Sequence, residues 1–169
     1  MNNQPLLTPE AIAFLSNFLM HNPQANILEF GSGGSTLWFA QQKADVITIE
    51  HDIRWYTQVA QELALLPEHT VDLRFVKRTY WKVCEEFPDN YVDLVLIDGR
   101  DRVACAQEAM RIIKPGGVLM LDNAERANYA SIYAMLSAWQ LHTSEYKRLS
   151  MFQQNSMHNV QTNWWIKPL

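Results

Sequence analysis

Four acids and one loop of small residues carry the chemistry legible in this chain. The stretch "ILEFGSGGSTLWFA" (27–40) sets Glu29 two residues before Gly31, continues through Ser32, Gly33 and Ser35, and then enters helix-forming residues. Glycines let a chain turn sharply at a strand end and approach a ligand closely, while the helix that follows offers unpaired N–H groups. The third glycine of the dinucleotide fingerprint would fall at position 36, where Thr36 stands. Alone, the loop reads equally as a tight strand-to-helix turn that binds nothing. Glu50 shifts that balance: it closes the next apolar stretch 19 residues after Gly31, near the spacing at which an acid meets a ribose diol. Glu29 then discriminates between cofactors. A carboxylate repels a pyrophosphate and attracts a cationic amino-acid tail, so the pattern favours S-adenosylmethionine over a nicotinamide dinucleotide.

A second group lies further along. Asp98 ends "YVDLVLID", and Asp122 with Asn123 ends "VLMLDN". If the two strands pair in parallel, three oxygen-bearing side chains meet at one sheet edge, the donor set that a hard cation such as magnesium takes. The alternative is that Asp98 orients substrate or cofactor while the Asp-Asn pair caps a helix. Arg100 and Arg102 follow Asp98. Their forked guanidinium groups match a carboxylate or phosphate on a substrate, or else they are surface residues.

These residues need elements to hold them, and the chain alternates accordingly. "TPEAIAFLSNFLMH" starts with Thr8 as a cap and Pro9 at the first helical position, and places Ile12, Leu15, Phe18 and Leu19 on one face. Strands at "ANILEF", "DVITIE", "VDLRFV", "YVDLVLID" and "VLMLD" alternate with helices at "STLWFAQQK", "DIRWYTQVAQELALL", "RVACAQEAMRII" and "RANYASIYAMLSAWQLH", with a turn at "KPGG" before the fifth strand. Alternation of this kind means crossover connections and a parallel sheet. The end breaks the pattern: "YKRLSMF" and "VQTNWWI" read as two strands of a hairpin that adds an antiparallel edge.

Composition narrows the classes. With 169 residues, 48% hydrophobic and 19% charged, the chain forms a single domain, 1–169, with its own core. A formal net charge of -4 argues against bulk electrostatic binding of nucleic acid. Two cysteines, Cys84 and Cys105, make neither a zinc cluster nor a disulfide framework and fit a reducing compartment. The start "MNNQPLLTPE" lacks a signal-peptide pattern and no run is long enough to span a bilayer, so a cytoplasmic protein without membrane association is expected.

Taken in order, Glu29, Gly31, Gly33 and Ser35 resemble the first motif of class I S-adenosylmethionine-dependent methyltransferases, Glu50 resembles their ribose acid, and "VDLVLIDG" and "IIKPGGVLMLD" resemble the fourth- and fifth-strand motifs. The resemblance implies a three-layer Rossmann-like α/β fold with a mostly parallel seven-stranded sheet and an antiparallel C-terminal hairpin. It implies S-adenosylmethionine held by Glu29, Gly31, Ser32, Gly33, Ser35, Glu50 and His51, and Asp98 as the active-site residue. Where the family's adenine contacts usually follow the third strand, "VKRTYW" gives no acid-containing signature; His51 and Asp52 are placed to serve, or Asp52 only caps its helix. A partial resemblance to catechol-type O-methyltransferases implies a divalent cation on Asp98, Asp122 and Asn123, although Arg100 and Arg102 stand where that group has a basic lysine, and arginine is a poor general base.

The activity expected is methyl transfer to a small molecule, with oxygen as the acceptor; a noncatalytic cofactor-binding protein or a nicotinamide-dependent oxidoreductase are the rivals. Little chain is left over for a substrate domain, so either the acceptor is small or a homodimer completes the pocket. Trp38, Trp55 and Tyr56 are read first as core, with stacking on the cofactor as the alternative. Trp164 and Trp165 face opposite sides of a strand, one packed and the other at the site's mouth. His142 reads as a partner for a helix C-terminus and His158 as an exposed hairpin residue.

Overall fold

Parallel strands made of continuous apolar runs need cover on both faces. The computed structural model, which describes residues 3–149 and 157–169, supplies that cover. In chain order the elements are α1 (Pro9–His21), β1 (Ile27–Phe30), α2 (Gly34–Gln41), β2 (Val46–Glu50), α3 (Ile53–Leu63), β3 (Val71–Phe75), a 3-10 helix at Tyr80–Glu86, β4 (Val92–Ile97), α4 (Arg102–Ile112), β5 (Ile113–Leu121), a 3-10 turn at Ala127–Tyr129, α5 (Ala130–Met135), β6 (Gln140–Leu149) and β7 (Met157–Ile166). They form a seven-stranded sheet in the order β3-β2-β1-β4-β5-β7-β6. β1 to β5 pair in parallel, and β7 lies antiparallel between β5 and β6 at the sheet edge, as the resemblance implies.

Alternate residues of the central strands feed two cores. Leu28, Phe30, Val95, Ile97, Leu119 and Leu121 pack with the Cys105, Ala106, Ala109 and Ile112 stripe of α4 on one face. Ile27, Leu94, Leu96, Val118 and Met120 meet Ala11 and Leu15 of α1 and Trp38 and Phe39 of α2 on the other. The two tryptophans of β7 divide between the faces, Trp165 in the first core and Trp164 in the second. Both are therefore packed, and neither edges a site: Trp164 stacks on Phe14 at 4.9 Å and on His142 at 5.4 Å between ring centroids. Cys84 and Cys105 are buried free thiols, and burial pushes both up to about 12.

The last third differs from the sequence reading. The helix expected over "RANYASIYAMLSAWQLH" is α-helical only at Ala130–Met135, because Gln140, Leu141 and His142 are taken into β6 opposite Ile166, Trp165 and Trp164. His142 is thus a strand residue, not a partner for a helix end. Cross-strand pairing over ten residues outweighs the modest helix preference of this segment. The expected "KPGG" turn appears instead as an irregularity inside β5, between the Val92–Ile113 and Leu94–Val118 pairs. Of the strand expected at "YKRLSMF", Ser150, Met151 and Phe152 lie outside the described residues.

Two features of this layout decide where chemistry can occur. The sheet order reverses direction between β1 and β4, and in an open parallel sheet the crevice beyond the strand ends at such a point receives ligands. At that edge β1 delivers Glu29, β2 delivers Glu50, and Asp98 and Asp122 directly follow β4 and β5. Among the described residues no helix is long and apolar enough to cross a membrane.

Candidate functional site

The loop after β1 is shaped by contact between two backbones. Gly31 adopts φ +94°, and a Cβ there would stand 2.6 Å from the Gly99 amide nitrogen and 2.7 Å from its Cα. Gly99 is hemmed in as well: a Cβ on it would stand 2.7 Å from the Tyr80 hydroxyl and 3.2 Å from the Gly31 nitrogen. The loops after β1 and β4 therefore touch without side chains between them. Gly99 closes the "VDLVLIDG" motif, but its packing against Gly31 has no signal in the sequence.

Glu29 lies beneath this loop rather than in the crevice. Its carboxylate is fully buried and accepts hydrogen bonds from the hydroxyls of Ser35 at 2.5 Å, Thr36 at 2.7 Å and Thr48 at 2.7 Å. Thr36 in turn accepts from the Gly33 amide at 2.9 Å, so the residue that breaks the dinucleotide fingerprint ties the loop to the acid below it. Ser35 likewise points at Glu29. The expectation that Glu29 meets a cofactor directly is corrected here, because the carboxylate is fully buried and does not line the crevice. Burial raises its pKa from 4.5 to about 7, against the pull of the three hydroxyls.

Glu50 does line the crevice. It bounds a cavity of about 340 Å³ together with Gly31, Ser32, His51, Trp55 and Asp98. One carboxylate oxygen accepts from the Ser32 amide (2.8 Å) and hydroxyl (2.9 Å), and the other from the amides of His51 (2.7 Å) and Asp52 (2.8 Å). These donors fix the plane of the carboxylate, and the Ser32 hydroxyl is the one that can rotate away to admit a ligand's hydroxyl. The His51 ring stacks on Tyr80 at 5.5 Å. Asp52 caps α3 through the Arg54 amide at 2.9 Å. Trp55 is not core: it is 43% exposed, and its indole N–H donates to the Ser32 carbonyl. Trp38 is the buried one, while Tyr56 packs against Phe75 at 5.7 Å.

On the β4–β5 side the sequence reading needs one correction. Arg102 is 5% exposed and works as a clasp. Its guanidinium donates to the carbonyls of Gly99 (2.8 Å), Asp98 (2.8 Å) and Asp122, and to the Asp98 carboxylate at 2.9 Å. With the fork committed to the strand ends, Arg102 is not the anion-binding group expected of it. The cation site expected on Asp98, Asp122 and Asn123 finds no support. Asp98 is paired with Arg102, Asp122 accepts from the Thr162 hydroxyl at 2.8 Å, and the Asn123 oxygen accepts from Arg126 at 2.9 Å. Among the described residues no group of three histidine, cysteine or acid side chains is arranged to hold a metal. Burial, with the Asp98 charge nearby, pushes Asp122 up to about 7.

Asp98 itself stands on the cavity wall, one third exposed. Arg100 is exposed and borders both this cavity and a second one, about 620 Å³, that opens beyond Gly99. The second is lined by Trp81, Arg102, Gln107, Arg126, Asn128 and Tyr129, among others. Arg126 and Trp81 had no signal in the sequence, because neither occupies a position at fixed spacing from a motif.

With this geometry the comparisons agree. A family model described as a methyltransferase domain matches residues 28–124, more than half of the chain. No curated protein sequence matches the chain. Among solved structures, an O-methyltransferase from Bacillus cereus in complex with SAH is similar at 20% identity, over 98% of this chain and 85% of that one, with a TM-score of 0.68. A precorrin-6y C5,15-methyltransferase from Geobacter metallireducens is similar at 13% identity, over 99% and 93%, with a TM-score of 0.70. A tRNA methyltransferase from Aquifex aeolicus is similar at 15% identity, over 100% and 72%, with a TM-score of 0.65. At such identities the likeness is one of fold, and it spans acceptors of different kinds. The family match, the strand order and the acid-and-glycine loop together make this chain a member of the class I S-adenosylmethionine-dependent methyltransferases.

Proposed function

We propose that the chain transfers a methyl group from S-adenosylmethionine to an oxygen of a small molecule. The observation that carries the reading is the sharing of one wall: the cavity bounded by Glu50 and the cleft beyond it both include Gly99 and Arg100, with Asp98 facing the former. A cofactor on one side and an acceptor on the other would meet at that wall.

The residues present fit the cofactor. Gly31 and Gly33 leave room for close approach at the loop, where a Cβ on Gly33 would meet only the Trp55 ring at 3.7 Å. Glu50 would accept the ribose hydroxyls, His51 and Trp55 would border the base, and the Ser32 segment would follow the amino-acid tail. Glu29 acts at one remove, by fixing Ser35 and Thr36 and hence the course of the loop. When bound, S-adenosylmethionine supplies a methyl group that is already activated, so the protein's task is alignment. Asp98, held by Arg102, would orient the acceptor hydroxyl by accepting its proton in a hydrogen bond. The contacts of Asp98, Asp122 and Asn123 give a divalent cation no support, so no step is assigned to a metal.

Titration calorimetry with S-adenosylmethionine and its demethylated product tests the cofactor half. Glu50→Ala is expected to weaken binding by about 1.5–3 kcal/mol, the worth of charged hydrogen bonds. Unchanged affinity would remove Glu50 from the site. The catalytic half is tested by S-adenosylhomocysteine formation with hydroxylated small molecules, which Asp98→Ala is expected to abolish while the cofactor still binds.

A further inference from the structure

The cleft of about 620 Å³ beyond Gly99 is larger than the cofactor cavity and has its own chemistry. Three guanidinium groups border it, on Arg100, Arg102 and Arg126, against one carboxylate, on Asp101. For a chain of net charge -4 this is a local reversal of sign. The three arginines are not equivalent. Arg102 is spent on Asp98 and three strand-end carbonyls. Arg100, from the loop after β4, is exposed, and no ion pair described in the structure involves it. Arg126, from the segment after β5, is about half exposed and stands 4.0 Å from Glu125. Its Nη2 donates to Asn123, which leaves Nη1 without a described partner. Trp81, half-buried, supplies an apolar wall and Gln107 a further polar one.

We infer that this cleft takes a small hydroxylated acceptor bearing an oxyanion, a carboxylate or a phosphate ester, gripped by Arg100 and Arg126 with its apolar part against Trp81. The inference rests on the methyl-transfer reading and names the class of acceptor. A guanidinium is always charged, and its planar fork matches the paired oxygens of a carboxylate or phosphate. Arginines donated by two different loops would fix the acceptor at one end and leave its other end at the Gly99 wall, where Asp98 stands. The volume suits a small molecule, and the acidic balance of the chain disfavours a polyanion.

The test separates this inference from the reading beneath it. Binding of small hydroxylated carboxylic acids, of phosphate esters of the same skeletons and of the neutral amides is measured on the protein with and without saturating S-adenosylhomocysteine. One of the two anionic series is expected to bind at least about tenfold more tightly than the amides, as charge-assisted hydrogen bonds allow. Arg126→Ala should collapse that preference, Arg126→Lys should restore part of it, and the affinity for S-adenosylhomocysteine should not move. The preference falling on the phosphate esters or on the acids supports the clamp and identifies its anion. Amides binding as well as both anionic series, or a preference that survives Arg100→Ala together with Arg126→Ala, would overturn it. A protein that takes the anions but not S-adenosylhomocysteine would keep the clamp and refute the methyl-transfer reading.

Discussion

The two halves of the crevice are built by opposite means. Around β1 and β2 the carboxylates are answered by hydroxyls and amides close at hand: Glu29 by Ser35, Thr36 and Thr48, and Glu50 by Ser32, His51 and Asp52. Around β4 and β5 the acids meet charge or a distant strand: Asp98 is paired with Arg102, and Asp122 with Thr162 of β7. The first half is self-contained within β1, β2 and the residues that directly follow them, and it uses only neutral donors. The second uses a buried guanidinium from α4 and a hydroxyl from β7, so it combines charge with a long-range contact.

The sharpest way to break this contrast is at the backbone contact that joins the halves. Gly31→Ala places a methyl against the Gly99 backbone at a φ that side chains rarely adopt, and neither partner can rotate aside. A loss of about 4–5 kcal/mol in urea-unfolding free energy is expected, combining strain with overpacking. A loss under about 1 kcal/mol would mean that the loops separate easily.

Next in size is the clasp. Arg102→Met removes the donor of three carbonyls and the partner of Asp98, and should cost about 3–4 kcal/mol, as expected when half of a buried ion pair is removed. If Arg102 were instead an anion-binding group, the same variant would keep its stability and lose only acceptor affinity.

Third is the pH response of the self-contained half. Glu29 titrates near 4.5 when unfolded and at about 7 when folded, so between those values the folded state holds a proton that the unfolded state releases. The associated stability is complete below pH 4.5, declines as the pH rises, and levels off above about 7. The gap between those two values corresponds to about 3 kcal/mol in all. Urea unfolding at a series of pH values should show that decline, with Asp122, also raised, adding to it. In Glu29→Gln the slope should flatten, and a slope equal to the wild type would assign the whole effect to Asp122.

The contrast also explains what could be read from the sequence. The strands and their alternation with helices were legible because apolar runs and helical periodicity are local properties. The turn at Gly31 was legible because a sharp strand end demands a particular residue there, and the place of Glu50 in the crevice was legible because it closes β2 at a fixed spacing from that loop. Glu29 was found but given the wrong neighbour, since a sequence does not say which hydroxyls lie above and below a strand. Arg102 was given an anion-binding part and Arg126 none for the same reason: both are arginines near the right strand ends, and only packing decides which is consumed by carbonyls. The shortening of the last helix was hidden because Gln140–His142 are recruited by a partner strand more than 20 residues away.

One consequence of the bare Gly31–Gly99 join concerns anyone wishing to alter what the protein acts on. Because no side chain mediates the join, it offers no rotamer to absorb a poorly matched replacement, and it sets a seam in the molecule. The loops after β1 and β4 are best kept as a matched pair. Redesign starts at the exposed residues beyond them, Arg100 and Arg126.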